Sequence, residues 1–153
     1  MDARVVSINI SDKKGVRKKA VDTAVLKEDY GIEHDAHASG TWHRQISLLA
    51  LESIKKMQAK GLDVGSGDFA ENLTTEGIDL ISLPIGTRIT VGENIEVEVS
   101  QIGKVCHNRC AIYHQAGDCV MPKEGIFAKV LRGGTVKTGD DIKITGSKPS
   151  DVS

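Results

Sequence analysis

The sequence predicts a mainly β, barrel-like domain with about two short α-helices and long ordered loops. Three observations lead there. Aromatic residues make up only 3% of the 153 residues, so the core must be built from Val, Ile and Leu, a composition that leans towards strands. Short apolar runs alternate residue by residue instead of forming long blocks. Sixteen glycines punctuate them. A chain of this length holds one domain comfortably and two poorly, so residues 1–146 read as a single domain and 147–153 as a loose tail.

In chain order, Val6, Ile8 and Ile10 alternate with Ser7 and Asn9, which predicts a strand with one buried face. The polar turn "SDKKGVRKK" leads into a second extended run, "AVDTAVLKE". Asp29 to Gln45 is rich in Gly and His and has no period, so it reads as an ordered loop. From Ser47 to Lys60, Leu48, Leu51, Ile54 and Met57 recur at three-residue steps. Glu52 precedes Lys56 by four, and Gly61 follows the last turn. That pattern predicts an amphipathic helix with a glycine stop. "GSGDFAENLTTEGIDL" reads as another connection. Ile89 and Val91, the turn "GEN", then Ile95, Val97 and Val99 describe a hairpin. Glu124 to Arg132 places Ile126, Phe127, Val130 and Leu131 on one helical face between Pro122 and Gly133-Gly134, which predicts the second helix. "TVKTGDDIKIT" closes the domain as strand, Gly-Asp turn and strand.

Twenty basic against 21 acidic residues give a net charge of -1, which carries no general footprint for nucleic acid or a membrane surface. No window approaches the roughly 18 apolar residues of a membrane span. The opening "MDARVVSINISDKKG" lacks the order of a signal peptide, and the cysteine count is odd. A reducing, cytoplasmic location is therefore expected, and a disulfide is not.

Chemistry concentrates in three clusters. "KVCHNRCAIYHQAGDCVMP", Lys104 to Pro122, holds all three cysteines, Cys106, Cys110 and Cys119, with His107 and His114. A zinc site has enough soft ligands there but lacks the second close ligand pair of knuckles and ribbons. Buried, inert thiols are a second reading. A reactive thiol is a third, and it favours Cys110, where Lys104, His107 and Arg109 supply the positive neighbours that favour a thiolate. The second cluster, "GIEHDAHASGTWHRQISLL", gathers His34, Asp35, His37, His43 and Arg44 around the single tryptophan, Trp42. It reads as a weak H-x2-H metal pattern with an intervening Asp, as an anion pocket of His37, His43 and Arg44, or as a solvated polar loop with one structural Asp-His contact. In the third, "FAENLTTEGIDL", Asn72, Thr74 and Thr75 offer neutral donors and acceptors beside Gly77, as a turn also would. Nothing matches a P-loop, a dinucleotide fingerprint, a serine nucleophile elbow or a zinc-protease helix.

Taken in order, "GIEHDAHASGTWHRQISLLALESI", "GDFAENLTTEGIDLISLPIG" and "CHNRCAIYHQAGDCVMPKEGIFAKVLRGGTVKTGD" resemble the MOSC domains, named for the C-terminal region of molybdenum cofactor sulfurases. The form is similar to the small stand-alone bacterial members. The resemblance implies a barrel-like MOSC fold whose cleft binds molybdenum cofactor (molybdopterin), with a cysteine that carries sulfur or ligates molybdenum. Arg109, Cys110, Ala111 and Ile112 resemble the context of the ligand in amidoxime-reducing members, so the metal-ligand and catalytic role goes first to Cys110, then to Cys119 and Cys106. His37, Arg44, Asn72, Lys104 and Arg109 are the cofactor-binding residues it suggests. One departure is visible, because His34 stands where the family usually has glycine before Asp35. If that glycine has positive φ, His34 is strained.

Two activities follow from the resemblance: handling of sulfur or cofactor, and reduction of N-hydroxylated substrates with an electron-donating partner. The chain has no lysine context for pyridoxal phosphate and lacks the length of a desulfurase domain. Sulfur would come from a cysteine desulfurase or pass between proteins of cofactor biosynthesis and their acceptors. The alternative from another class is a non-catalytic interaction module stapled by a Cys/His zinc site.

Overall fold

The structure, a computed structural model, describes residues 3–11, 19–35, 45–61, 63–66, 71–102 and 125–146. It is mainly β. The strands are β1 (Ala3–Ile10), β2 (Lys19–Val21), β3 (Thr23–Lys27), β4 (Gly31–Ile32), β5 (Ile46–Ala50), β6 (Leu73–Glu76), β7 (Arg88–Val91), β8 (Ile95–Ile102), β9 (Ile126–Arg132), β10 (Gly134–Lys137) and β11 (Asp141–Gly146). Among the described residues there is one α-helix, α1 (Leu51–Ala59), and a single 3-10 turn at Leu80–Ser82. The order β11-β7-β8-β9-β5-β6-β1 closes on itself, because β1 also pairs with β11 at Ala3↔Ile142 and Arg4↔Asp141. A barrel of seven strands results, with β2 added beside β1 and a small sheet β10-β3-β4 packed alongside.

Alternation decides what fills the barrel. Ile46, Leu48 and Ala50 of β5, Leu73 of β6, Ile89 and Val91 of β7, Val97 and Val99 of β8, and Ile126, Ala128 and Val130 of β9 form one buried cluster. Leu26, Ile32 and Val136 of the small sheet join it. In β1 a bulge between Val5 and Ser7 shifts the phase, so Val5 and Ile8 enter the core while Val6 and Ile10 are only half-buried.

Two helical expectations are corrected. Residues Glu124 to Arg132 hold no helix where the chain is described. Ile126–Arg132 is β9, a central strand between β5 and β8. Its interior residues pack into the barrel and Phe127 is covered on the outside, and a strand buried on both faces presents a run that helical spacing fits equally well. The helix expected over Ser47 to Lys60 begins only at Leu51, since Leu48 is fully buried in β5 and pairs in parallel with Leu73. The glycine stop holds: Gly61 has φ 91° and its N–H donates to the Gln58 carbonyl at 2.9 Å.

The hairpin forms as expected, with Val91 opposite Ile95. The last two strands also form, but they do not pair with each other. After the turn at Gly139 (φ 94°), β11 returns to β7 while β10 pairs with β3.

Candidate functional site

One row of residues crosses five strands on the outer side of the barrel wall. Gln101 of β8 stands opposite Phe127 of β9, and Phe127 opposite Ser47 of β5. Ser47 continues to Asn72, at the start of β6, and Asn72 to Asn9 of β1. These positions alternate with core residues, so their side chains face away from the barrel interior. An outer face normally carries solvated polar groups. Here Asn9 and Asn72 are fully buried, and Ser47 and Phe127 almost so.

Asn72 stitches the row together. Its Oδ1 accepts from the Ser47 N–H at 2.9 Å and from Ser47 Oγ at 3.3 Å. Its Nδ2 donates to the Asn9 carbonyl at 3.2 Å, and its own carbonyl accepts from the Asn9 N–H at 2.7 Å. A second set of bonds runs outward from β1. Ser7 Oγ donates to Asn9 Oδ1 at 2.7 Å, Asn9 Nδ2 to Thr74 Oγ1 at 3.1 Å, and Thr74 Oγ1 to Glu71 Oε2 at 2.7 Å. Glu71 and Thr74 are fully buried. Gln45, just before β5, holds the small sheet against the barrel. Its Nε2 donates to Asp29 Oδ1 and its Oε1 accepts from the Val130 N–H, both at 2.9 Å.

The turn before this row is also fixed. Asp35 Oδ1 accepts from the Ser11 N–H at 3.0 Å, which joins the end of β1 to the stretch after β4. His34 sits at φ 71°, in the left-handed region, so the strain expected from its place beside Asp35 is present.

The candidate residues divide sharply. Asn72 lies in the row, with its amide engaged between β1 and β5. His37 and Arg44 fall in residues 36–44, and Lys104, Cys106, Arg109, Cys110 and Cys119 fall in 103–124. All of these lie outside the described residues, as do His107 and His114 of the zinc alternative. Both segments nevertheless attach at the row. Gln45 is two residues before Ser47, Ile102 is one after Gln101, and Gly125 is two before Phe127. Among the described residues no group of three His, Cys, Asp or Glu gathers as a metal site.

Sequence reasoning missed Asn9, Gln45 and Glu71. Asn9 looked like the solvated partner of an alternating strand, and period two cannot tell solvent from a covered outer face. Glu71 was present in the quoted "ENLTT", and its proximity to Asn72 was the available signal. A cavity of about 320 Å³ opens elsewhere, between Ala50, Glu52, Ser53 and Lys56 on one wall and Gly77 to Ile81 on the other.

The model of the MOSC domain matches residues 35–143, from Asp35 beside the strained turn to β11. The chain belongs to the MOSC domain family. Solved structures agree with the MOSC fold. YuaD from Bacillus subtilis superposes with a TM-score of 0.79 at 22% identity, covering 97% of this chain and 98% of its own. YiiM from Geobacillus stearothermophilus gives 0.68 at 21%, over 94% and 75% of the two chains. YiiM from Escherichia coli gives 0.68 at 18%, over 95% and 70%. No curated protein matches this MOSC chain in sequence. Among the described residues of the MOSC domain, no helix is long and apolar enough to cross a membrane.

Proposed function

We propose that this MOSC domain binds the pterin form of molybdenum cofactor against the outer wall of β1, β6, β5 and β9, and handles metal or sulfur through Cys110. The observation that carries the reading is the covered polar row. A barrel that needed only to fold would leave Asn9, Ser47, Asn72 and Thr74 to water, yet they are buried and bonded to one another. Buried polar networks of this kind fix geometry at the expense of desolvation, which suits a wall that must not deform.

The donor chemistry fits the cofactor. The wall's amides, hydroxyls and one carboxylate bond to one another, which fixes the surface against which a planar ring would lie. The segments attached to it bring Arg44, Lys104 and Arg109 for a phosphate and a thiol at Cys110 for a soft metal. Molybdenum, when bound, supplies a centre that exchanges electrons and oxygen or sulfur. The chain's own contributions are to keep the wall rigid through Asn72 and its neighbours, to neutralise phosphate with His37, Arg44, Lys104 and Arg109, and to present Cys110 as ligand or sulfur carrier. Cys119 and Cys106 are the second choices for that thiol. Delivered sulfur would come from a cysteine desulfurase or another protein of cofactor biosynthesis, and reductase chemistry would need an electron-donating partner.

Metal and pterin analysis of the protein purified from its native cytoplasm tests this. Molybdenum and an acid-released pterin in equal amounts are expected. Stoichiometric zinc, lost only on unfolding and without any pterin, would overturn the reading in favour of a stapled interaction module. Cys110→Ser is expected to retain the fold and pterin while losing the metal or the persulfide. A variant that keeps both would move the role to Cys119 or Cys106.

A further inference from the structure

We infer that residues 78–83 form a lid that swings as one piece and uncovers an apolar chamber at one end of the barrel. The connection from β6 to β7 crosses that end, because β1 and β11 separate the two strands one way round and β5, β9 and β8 the other. Its middle sinks into the barrel. Leu80 is 2% exposed and belongs to the core cluster, and Ile78 and Leu83 pack partly against it. The hydrogen bonds of the crossing are its own. The Ser82 N–H donates to the Asp79 carbonyl at 3.3 Å, the Leu83 N–H to the Leu80 carbonyl at 3.1 Å, and Ser82 Oγ to Asp79 Oδ2 at 2.6 Å. Among the described residues, nothing in 78–83 is hydrogen-bonded to a barrel strand or to α1. Apolar contact alone holds the piece down.

Its two ends suit a pivot. Gly77 is exposed at φ 83°, where glycine turns without strain, and its N–H donates to Glu52 Oε2 at 3.1 Å. At the other end the turn from Pro84 to Thr87 is fastened to β8. The Gly86 N–H donates to the Val99 carbonyl at 2.8 Å, and the Thr87 carbonyl accepts from the Val99 N–H at 2.9 Å. Packing around the lid is incomplete. A cavity of about 320 Å³ separates it from α1, and one of about 430 Å³ lies on its other side, towards Ile142 and Ile144 of β11. Ile78 lines both and is the partition between them. Side chains beside a void forfeit dispersion contacts there. A segment with few apolar contacts and no cross-bonds opens at a fraction of the free energy of global unfolding. Lifting Ile78 and Leu80 joins the two cavities into one chamber with Ala50, Ile142 and Ile144 in its walls. The lid is independent of the cofactor reading above.

The test compares Leu80→Cys with Ile89→Cys, each labelled by iodoacetamide in native buffer and the modified site identified by peptide mass. Ile89 is fully buried in β7, so a thiol there reports unfolding of the barrel itself. Leu80→Cys is expected to react about a hundredfold faster than Ile89→Cys or more, at a rate that urea leaves unchanged below the unfolding transition, because a swinging lid exposes little surface. Equal rates, or a urea slope equal to that of global unfolding, would overturn the lid. Should Leu80→Cys fail to fold, methyl relaxation dispersion on the wild type decides. Ile78, Leu80 and Leu83 are expected to share one exchange rate while Ile89 and Ile142 stay flat. Flat profiles throughout, or unrelated rates at the three lid residues, would sink the proposal.

Discussion

His34 shows a single residue at odds with its backbone. Its φ of 71° lies where L side chains cost about 1–2 kcal/mol, and its side chain is 83% exposed, with Glu33 at 3.4 Å as a neighbour among the described residues. Such a contact is worth little in water. His34→Gly relieves the strain, though glycine gives back about 0.5–1 kcal/mol through the freedom of the unfolded chain. A net gain of up to about 1 kcal/mol is therefore expected, read as a higher urea midpoint at unchanged slope. Gly133 is the opposite case. A Cβ there would lie 2.3 Å from the Leu26 carbonyl oxygen and 3.2 Å from the Glu28 nitrogen, both backbone atoms that cannot swing aside. Gly133→Ala must push the small sheet off the barrel. A loss of about 2–3 kcal/mol or more is expected, seen as a depressed melting temperature. A variant that melts like wild type would show that the two backbones are not in contact.

Elements succeed or fail by whether their burial pattern is unique. The hairpin at Arg88–Ile102 was legible because Glu96 and Glu98 mark its solvent face between the buried Ile95, Val97 and Val99. β9 was not, because Phe127 is covered where a polar residue would have marked the strand period. Leu48 misled for the same reason, lying in β5, where every residue is buried. β6 carries a testable consequence of that double burial. Thr75 stands opposite Ala50 and Val5 on the core side, fully buried, and its Oγ1 has no hydrogen-bond partner among the described residues. Valine has nearly the same shape without the desolvated hydroxyl. Thr75→Val is expected to stabilise by about 1 kcal/mol, measured by chemical denaturation. Destabilisation would show that the hydroxyl is satisfied in the folded protein. Thr74→Val, one residue along, is expected to do the reverse, because Thr74 links Asn9 to Glu71.

At the scale of the whole molecule, the described parts of the three sequence blocks meet on one wall, at Ser47, Asn72 and Phe127. Their family pattern was readable from order and spacing, but the wall was not, because its partners are far apart in the chain. Asn72 reaches Asn9 across 63 positions and Ser47 across 25. The pairing of β6 with β1 on one side and with β5 on the other makes them neighbours. On the cofactor binding proposed above, stability and ligand uptake are coupled through Asn72. Asn72→Ala removes the acceptor of the Ser47 N–H and the donor to the Asn9 carbonyl together, with an expected loss of about 2–4 kcal/mol. Binding restores stability only where the wall still fits its ligand. For the wild type, a ligand at a hundred times its Kd adds about 2.7 kcal/mol, or roughly 5–10 °C in a domain of this size. Asn72→Ala should show a much smaller rise at the same pterin concentration, because weaker binding lowers the saturation. If the variant melts lower but gains as much from pterin as the wild type does, Asn72 holds the barrel and has no part in the ligand's wall. A lower baseline with a blunted gain places it in both.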